Sequence, residues 1–203
     1  MEYEIKTKIG YNKNLFYKEN NKLNITNNLE TLSMYPVSIE LRKYNEEQEG
    51  ELIAEVTGYY FDLDYMLNEG ISIFEIFDSE SVETYELYEA LFEDEEYVEE
   101  IESFNQNLFY LSDIYVNEEY RKEGYFTMLI NQLDEILKYI AKLNVGLIAT
   151  RIYEYQTCDK IDAIEYLNKE EKEVLKDKLT NTLINADYKI LENNTNYLVR
   201  VLY

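Results

Sequence analysis

Arg121, Lys122 and Gly124 lie in a short turn between an apolar run, Leu108 to Val116, and an amphipathic stretch that begins near Phe126. Residues of these types at this spacing suit an anion. Gly124 takes backbone angles that other residues resist and lets a ligand approach the chain closely. A helix starting there directs its unbonded N–H groups and the positive end of its dipole outward, which is the arrangement that holds phosphate. Arg121 and Lys122 are also the first basic residues after 77 positions without one. The same features fit an ordinary strand-to-helix turn, so the turn alone leaves both readings open.

Composition narrows the chemistry. The chain has no histidine and a single cysteine, Cys158. Ser-His-Asp and Cys-His catalysis, His-ligated metals, thiolate zinc sites and intrachain disulfides are therefore excluded. A general base must be a carboxylate, a tyrosine, a lysine, the thiolate or an ordered water. The 22 tyrosines accompany abundant Asn, Ile, Lys and Glu, a bias that an AT-rich coding sequence produces without any special role for tyrosine.

The net charge is −23, and positions 44 to 120 hold 24 of the 42 acidic residues with no Lys or Arg. Such a field repels nucleic acid and anionic membranes and attracts cations or basic proteins. It also serves simply as a solvated surface. No apolar run is long enough to span a bilayer, and MEYEIKTKIG lacks the features of a secretory leader, so the expectation is a cytoplasmic protein without direct contact to membrane or nucleic acid.

The elements that must position the turn follow from periodicity. Glu2 to Ile9 reads as a strand, and Asn12 to Asn28 as loop or short helix. Val37 to Leu41 and Leu52 to Leu63 read as a strand hairpin around a turn at Glu46 to Gly50. Ile71 to Phe77 is ambiguous, its alternation favouring a strand. Asp78-Ser79 offers an N-cap, and residues 79–104 read as one or two amphipathic helices with an acidic outer surface, interrupted at Glu93 to Glu96. Leu108 to Val116 is apolar enough for a buried strand. A helix of about 18 residues follows through Leu129, Leu133, Leu137 and Ile140, packing one face on the sheet. Val145 to Ala149 reads as a short strand. Asn168 with Glu171 resembles a capping box for a helix through Leu183. Tyr188 to Leu191 and Tyr197 to Leu202 close the chain as strands. This order predicts one α/β domain with a mixed central sheet flanked by helices, and an acidic helical segment before the central strand.

Leu111-Ser112-Asp113-Ile114-Tyr115-Val116 followed by Arg121-x-x-Gly124 resembles motif A, Q/R-x-x-G-x-G/A, of the GNAT family of N-acetyltransferases, and the downstream order of helix, strand, helix and hairpin is similar to that family's. The likeness covers roughly 105–203, the expected acetyl-CoA-binding core; residues 36–104 would supply the N-terminal strands and the acidic segment. The resemblance implies that the backbone of Ile114, Tyr115 and Val116 pairs with the pantetheine arm. It implies that the amides of Arg121, Lys122, Glu123, Gly124, Tyr125, Phe126 and Thr127 cradle the pyrophosphate. It implies amide formation between acetyl-CoA and a cationic amine, either a small amine or a group on a basic protein, with Asp113 as base and Tyr155 protonating the leaving sulfur; Tyr153 and Cys158 stand nearby. The chain departs from the pattern at Phe126, in the second small position, at Glu123, a negative charge inside the turn, and at Leu183, where many members carry the proton-donating tyrosine. Those departures support an alternative: a catalytically silent protein of the same fold that sequesters or inhibits a basic, nucleic-acid-binding partner. An exposed tyrosine-rich face would suit a homodimer.

Overall fold

The computed structural model describes residues 2–10, 16–19, 22–25, 33–44, 50–101, 106–152 and 169–202. Its strands are β1 (Glu2–Ile9), β2 (Phe16–Glu19), β3 (Lys22–Ile25), β4 (Met34–Tyr44), β5 (Glu51–Phe61), β6 (Phe92–Glu93), β7 (Glu96–Tyr97), β8 (Leu108–Val116), β9 (Leu147–Arg151), β10 (Lys189–Ile190) and β11 (Tyr197–Val201). Its helices are α1 (Leu63–Glu69), α2 (Ile73–Glu80), α3 (Val82–Leu91), α4 (Tyr125–Glu135) and α5 (Lys169–Ile184). Seven strands form one mixed, mostly antiparallel sheet in the order β1-β4-β5-β8-β9-β11-β10. Among the described residues only β8 and β9 run parallel, and α4 connects them, as a parallel pair requires a crossover.

Alternation along the strands separates two cores. Ile39, Val56, Ile114 and Ile148 face α4 and α5, where Leu129, Leu133, Leu179 and Leu183 complete one buried cluster. Phe61, Leu108, Tyr110, Leu147 and Val199 face the other way, against Met66, Ile76, Phe77, Leu87 and Leu91 of α1, α2 and α3. Phe77 stacks on Phe61 at a centroid distance of 4.1 Å. The acidic segment is therefore a helical layer whose apolar stripe is buried on the sheet and whose opposite face carries the charge.

Several local expectations are corrected. Part of the Asn12 to Asn28 stretch forms the β2–β3 hairpin rather than loop or helix. The strand expected to reach Leu63 stops at Phe61, because the Asp62 side chain accepts the Tyr65 amide and starts α1. Ile71 to Phe77 is not a strand: the Ser72 hydroxyl caps α2 by accepting the Glu75 amide. The third helix starts not at Asp78-Ser79 but at Ser81, which forms a reciprocal box with Thr84. It ends at Leu91, where the short β6–β7 hairpin turns through Asp94 and Glu95, both with positive φ. The helical face expected to resume at Val98 is not formed among the described residues, and Asn168 of the expected cap lies outside them.

Beyond the edge of α1–α3 the sheet keeps a polar stripe. Lys8, Ser38, Thr57 and Asp113 are successive cross-strand partners from β1 to β8, as are Lys6, Glu40, Glu55 and Tyr115. Glu40 is buried in this stripe, where it receives Lys8 and, at 2.6 Å, Arg42. The hydrogen bond from Lys8 and then that from Arg42 hold its carboxyl below the ordinary value of 4.5, against the opposing effect of burial. A carboxyl depressed in this way contributes stability that is present above its unfolded value and lost as pH falls through its lower folded value. Glu40→Gln is therefore expected to flatten the loss of thermal stability on acidification below pH 4.5. Thermal melts of both proteins across that range check this; parallel acid limbs would exclude Glu40 as a source of the pH dependence.

Candidate functional site

The turn is tied down before it reaches Arg121. The Asn117 amide donates to the Ile53 carbonyl at 2.8 Å, and its side-chain amide donates to the Leu52 carbonyl at 3.2 Å. Glu118–Tyr120 form one 3-10 turn, and the Tyr120 hydroxyl donates to Glu51 at 2.7 Å. The end of β8 and the following loop are thus fastened to the start of β5.

Arg121 turns back toward the strand. Its Nε donates to the Val116 carbonyl at 3.1 Å and one terminal nitrogen reaches Glu118 at 3.3 Å. Its other terminal nitrogen is buried without a hydrogen-bond partner among the described residues, and a buried donor of this kind favours an anionic acceptor. Lys122 and Gly124 both take positive φ, 67° and 88°. Gly124 precedes the first residue of α4, and among the described residues no side chain caps the helix and a Cβ at Gly124 would meet nothing within 4 Å. The first amides of α4 therefore lack the side-chain acceptor that helix N-termini commonly carry, above open space.

Lys122, Glu123 and Thr127 are exposed, whereas Tyr125, Phe126 and Met128 are half-buried and pack against the α4–α5 core. The bulk of Phe126 is therefore directed into the protein. The Tyr125 phenol is pushed up to about 12, first by its hydrogen bond with Tyr3 and then by burial, and stays protonated. Leu183 is buried in the core.

On β8, parallel pairing with β9 ends at Leu111↔Thr150, while β8 continues through Val116. β9 itself ends one residue further on, at Arg151, so β8 runs on past it, and the buried Thr150 hydroxyl donates to the Leu111 carbonyl at 2.9 Å. On the other side of β8, the register with β5 shifts between Thr57↔Asp113 and Gly58↔Leu111, so Ser112 is the extra residue of a bulge. Its hydroxyl donates to the Thr57 carbonyl at 3.1 Å.

Asp113 lies beyond the bulge on the polar stripe, half-buried. Burial raises its carboxyl above the ordinary 3.8, the Ile114 amide partly offsets this, and the Glu55 carboxylate raises it further. Glu55 accepts the Ser38 hydroxyl at 2.6 Å. Two more carboxylates reach this face of the sheet from α3: Glu83 accepts the Tyr110 hydroxyl at 2.6 Å, and Glu86 pairs with Arg151 of β9. Asp113 is thus a half-buried carboxylate on a face with further carboxylates on neighbouring strands and on α3, suited to taking a proton from a cation.

The structure brings Ile114, Tyr115 and Val116 onto one strand leading to the Arg121–Thr127 turn, with Ile114 buried and Val116 joined to Arg121. Tyr155, like Tyr153 and Cys158, lies outside the described residues. Sequence reasoning missed Glu55, although the alternation Ala54-Glu55-Val56-Thr57 already places it opposite the core. No group of acidic or cysteine side chains suited to a metal occurs among the described residues, and no helix among them is long and apolar enough to cross a membrane. A separate groove of about 1240 Å³ lies between the end of α4 and the β10–β11 edge, lined by Asp134, Lys138 and Arg200 among others; none of the turn residues reaches it. Comparison with family models, curated proteins and solved structures finds no match for this chain.

Proposed function

We propose that this chain is an acetyl-CoA-dependent N-acetyltransferase of GNAT type, acting on a cationic amine. The observation that carries this reading is the β8-α4-β9 unit: a parallel pair in which β8 outruns β9 beyond Leu111, bulges at Ser112 and leads into an uncapped helix start behind Arg121 and Gly124. The sheet order, with β11 inserted between β9 and β10, supports it.

The residues present fit the cofactor. Among the described residues Arg121 has a buried donor without a partner, the amides from Gly124 to Thr127 lie at an uncapped helix start, and the space over Gly124 is open. Arg121 and these amides would hold the pyrophosphate, and the β8 strand beyond Leu111 would align the pantetheine arm. Acetyl-CoA supplies the activated acetyl thioester. Asp113 would accept the acceptor's proton at a carboxylate oxygen, and burial raises its basicity toward the range useful in a general base. Glu55 would favour the approach of a positively charged acceptor to the same stripe.

A calorimetric titration with acetyl-CoA at low salt tests this reading. Micromolar binding is expected, weakened at least about tenfold (roughly 1.4 kcal/mol) by Arg121→Glu, with the variant's thermal melt as a control for folding. A flat titration would overturn the reading and favour a catalytically silent binding protein on the same fold.

A further inference from the structure

We propose that the outer surface of α2 and α3 is a docking site for an arginine- and lysine-rich segment of a protein partner. Three aromatic rings meet there: Phe74 and Tyr85 belong to neither core cluster, and Tyr88 packs on the edge of the α1–α3 core. Phe74, 40% exposed, packs edge-on against Tyr85 at 6.3 Å and Tyr88 at 5.3 Å between centroids. The buried stripes of these helices are formed by Ile73, Ile76 and Phe77 on α2 and by Thr84, Leu87, Ala90 and Leu91 on α3. Phe74 and Tyr85 therefore do not serve the packing that holds the layer to the sheet.

Carboxylates surround the rings. Glu89 accepts the Tyr85 hydroxyl at 2.8 Å. That hydrogen bond and the nearby charges of Glu89 and Asp78 push the Tyr85 phenol up. Glu95 accepts both the Ser72 hydroxyl and the Phe74 amide. Among the described residues no cation pairs with Asp78, Glu89 or Glu95. Ring faces beside unpaired carboxylates are complementary to a guanidinium, which stacks and donates in the same plane.

Charge complementarity selects the occupant. Residues 62–100 carry 15 acidic side chains and no Lys or Arg, so the whole layer attracts a polycation and repels an anionic partner. A solvated surface would not need an exposed phenylalanine at its centre, and an apolar partner would not need the carboxylates. The surface lies on the solvent side of the helices, whereas Asp113 lies on the sheet, so this proposal stands apart from acetyl transfer.

The test is fluorescence anisotropy of a labelled nona-arginine peptide added to the full chain without acetyl-CoA. Saturable binding that weakens from about 50 to about 200 mM salt is expected. Phe74→Ala combined with Glu89→Gln should weaken it at least about tenfold, and nona-lysine should bind less tightly than nona-arginine. The charge control Glu69→Gln with Glu99→Gln removes one more carboxylate from the same layer but none from the aromatic patch, and should change binding less than about threefold. Should the Phe74 variant fail to fold, Asp78→Asn with Glu89→Gln replaces it, both positions being exposed. Absence of saturable binding, or losses in the patch variants no larger than in the charge control, would overturn the proposal.

Discussion

Gly58→Ala is expected to destabilise the protein by about 3 kcal/mol, at the upper end of the usual cost of overpacking. Gly58 lies on β5 where the register with β8 shifts, opposite Leu111. A Cβ there would stand 2.2 Å from the Tyr110 carbonyl oxygen and 2.8 Å from Phe109 Cζ. The nearer atom is backbone, so no rotamer change relieves the clash. Relief would require β5 and β8 to move apart at the centre of the sheet. A calorimetric melt should register a fall of roughly 6–12 °C, at about 2–4 °C per kcal/mol for a chain of this size. A melt within a degree or two of the parent would show that the sheet absorbs the methyl group and that the bulge is not tightly held. The consequence reaches the candidate site, because the bulge sets the register that places Asp113 opposite Thr57.

Asp113→Asn is the second large effect, and it has two opposite components. As the proposed base, Asp113 should account for about 10²–10⁴-fold in rate; the loss is read as thiol release from acetyl-CoA with a polyamine or a lysine peptide as acceptor. Its folded pKa lies above the ordinary 3.8, chiefly through burial. The native state therefore holds this proton more tightly than the unfolded chain. Any stability from this group is present at pH below the unfolded value and is lost as pH rises through the folded one. At neutral pH the ionised Asp113 costs stability, so the neutral asparagine should melt higher, with the difference shrinking as pH falls through the raised value. An unchanged rate would remove Asp113 from the chemistry and direct attention to Glu55 and Tyr155. An unchanged or lower melt at neutral pH would show that the carboxylate is not penalised by its surroundings.

The candidate site was legible in part. Arg121 and Gly124 stood out because a turn between a buried strand and an amphipathic helix has few local alternatives. Both helix-start features, the positive φ of Gly124 and the uncapped α4, follow from that short stretch. The acidic segment was recognised as amphipathic, yet α1 was missed and Ile71 to Phe77 was read as favouring a strand. Ile71, Ile73, Phe74, Ile76 and Phe77 satisfy both periods over so short a run. What decides is burial of Ile73, Ile76 and Phe77 on the sheet, with the Ser72–Glu75 spacing as a signal that could have pointed to the helix start.

By itself the sequence determined the chemistry this chain can carry: no imidazole, one thiol, an acidic surface and one turn suited to an anion. It also determined most elements, because alternation and helical spacing are written over neighbouring residues. Only the tertiary structure decided that β11 enters between β9 and β10, that Ser112 bulges against Gly58, and that Glu55, Glu83 and Asp113 reach one face of the sheet. Those outcomes depend on pairings between residues distant in sequence, where many registers satisfy the same local pattern. The choice among them is made by packing, such as the close approach of Gly58 to the Tyr110 carbonyl, which no window of the sequence contains.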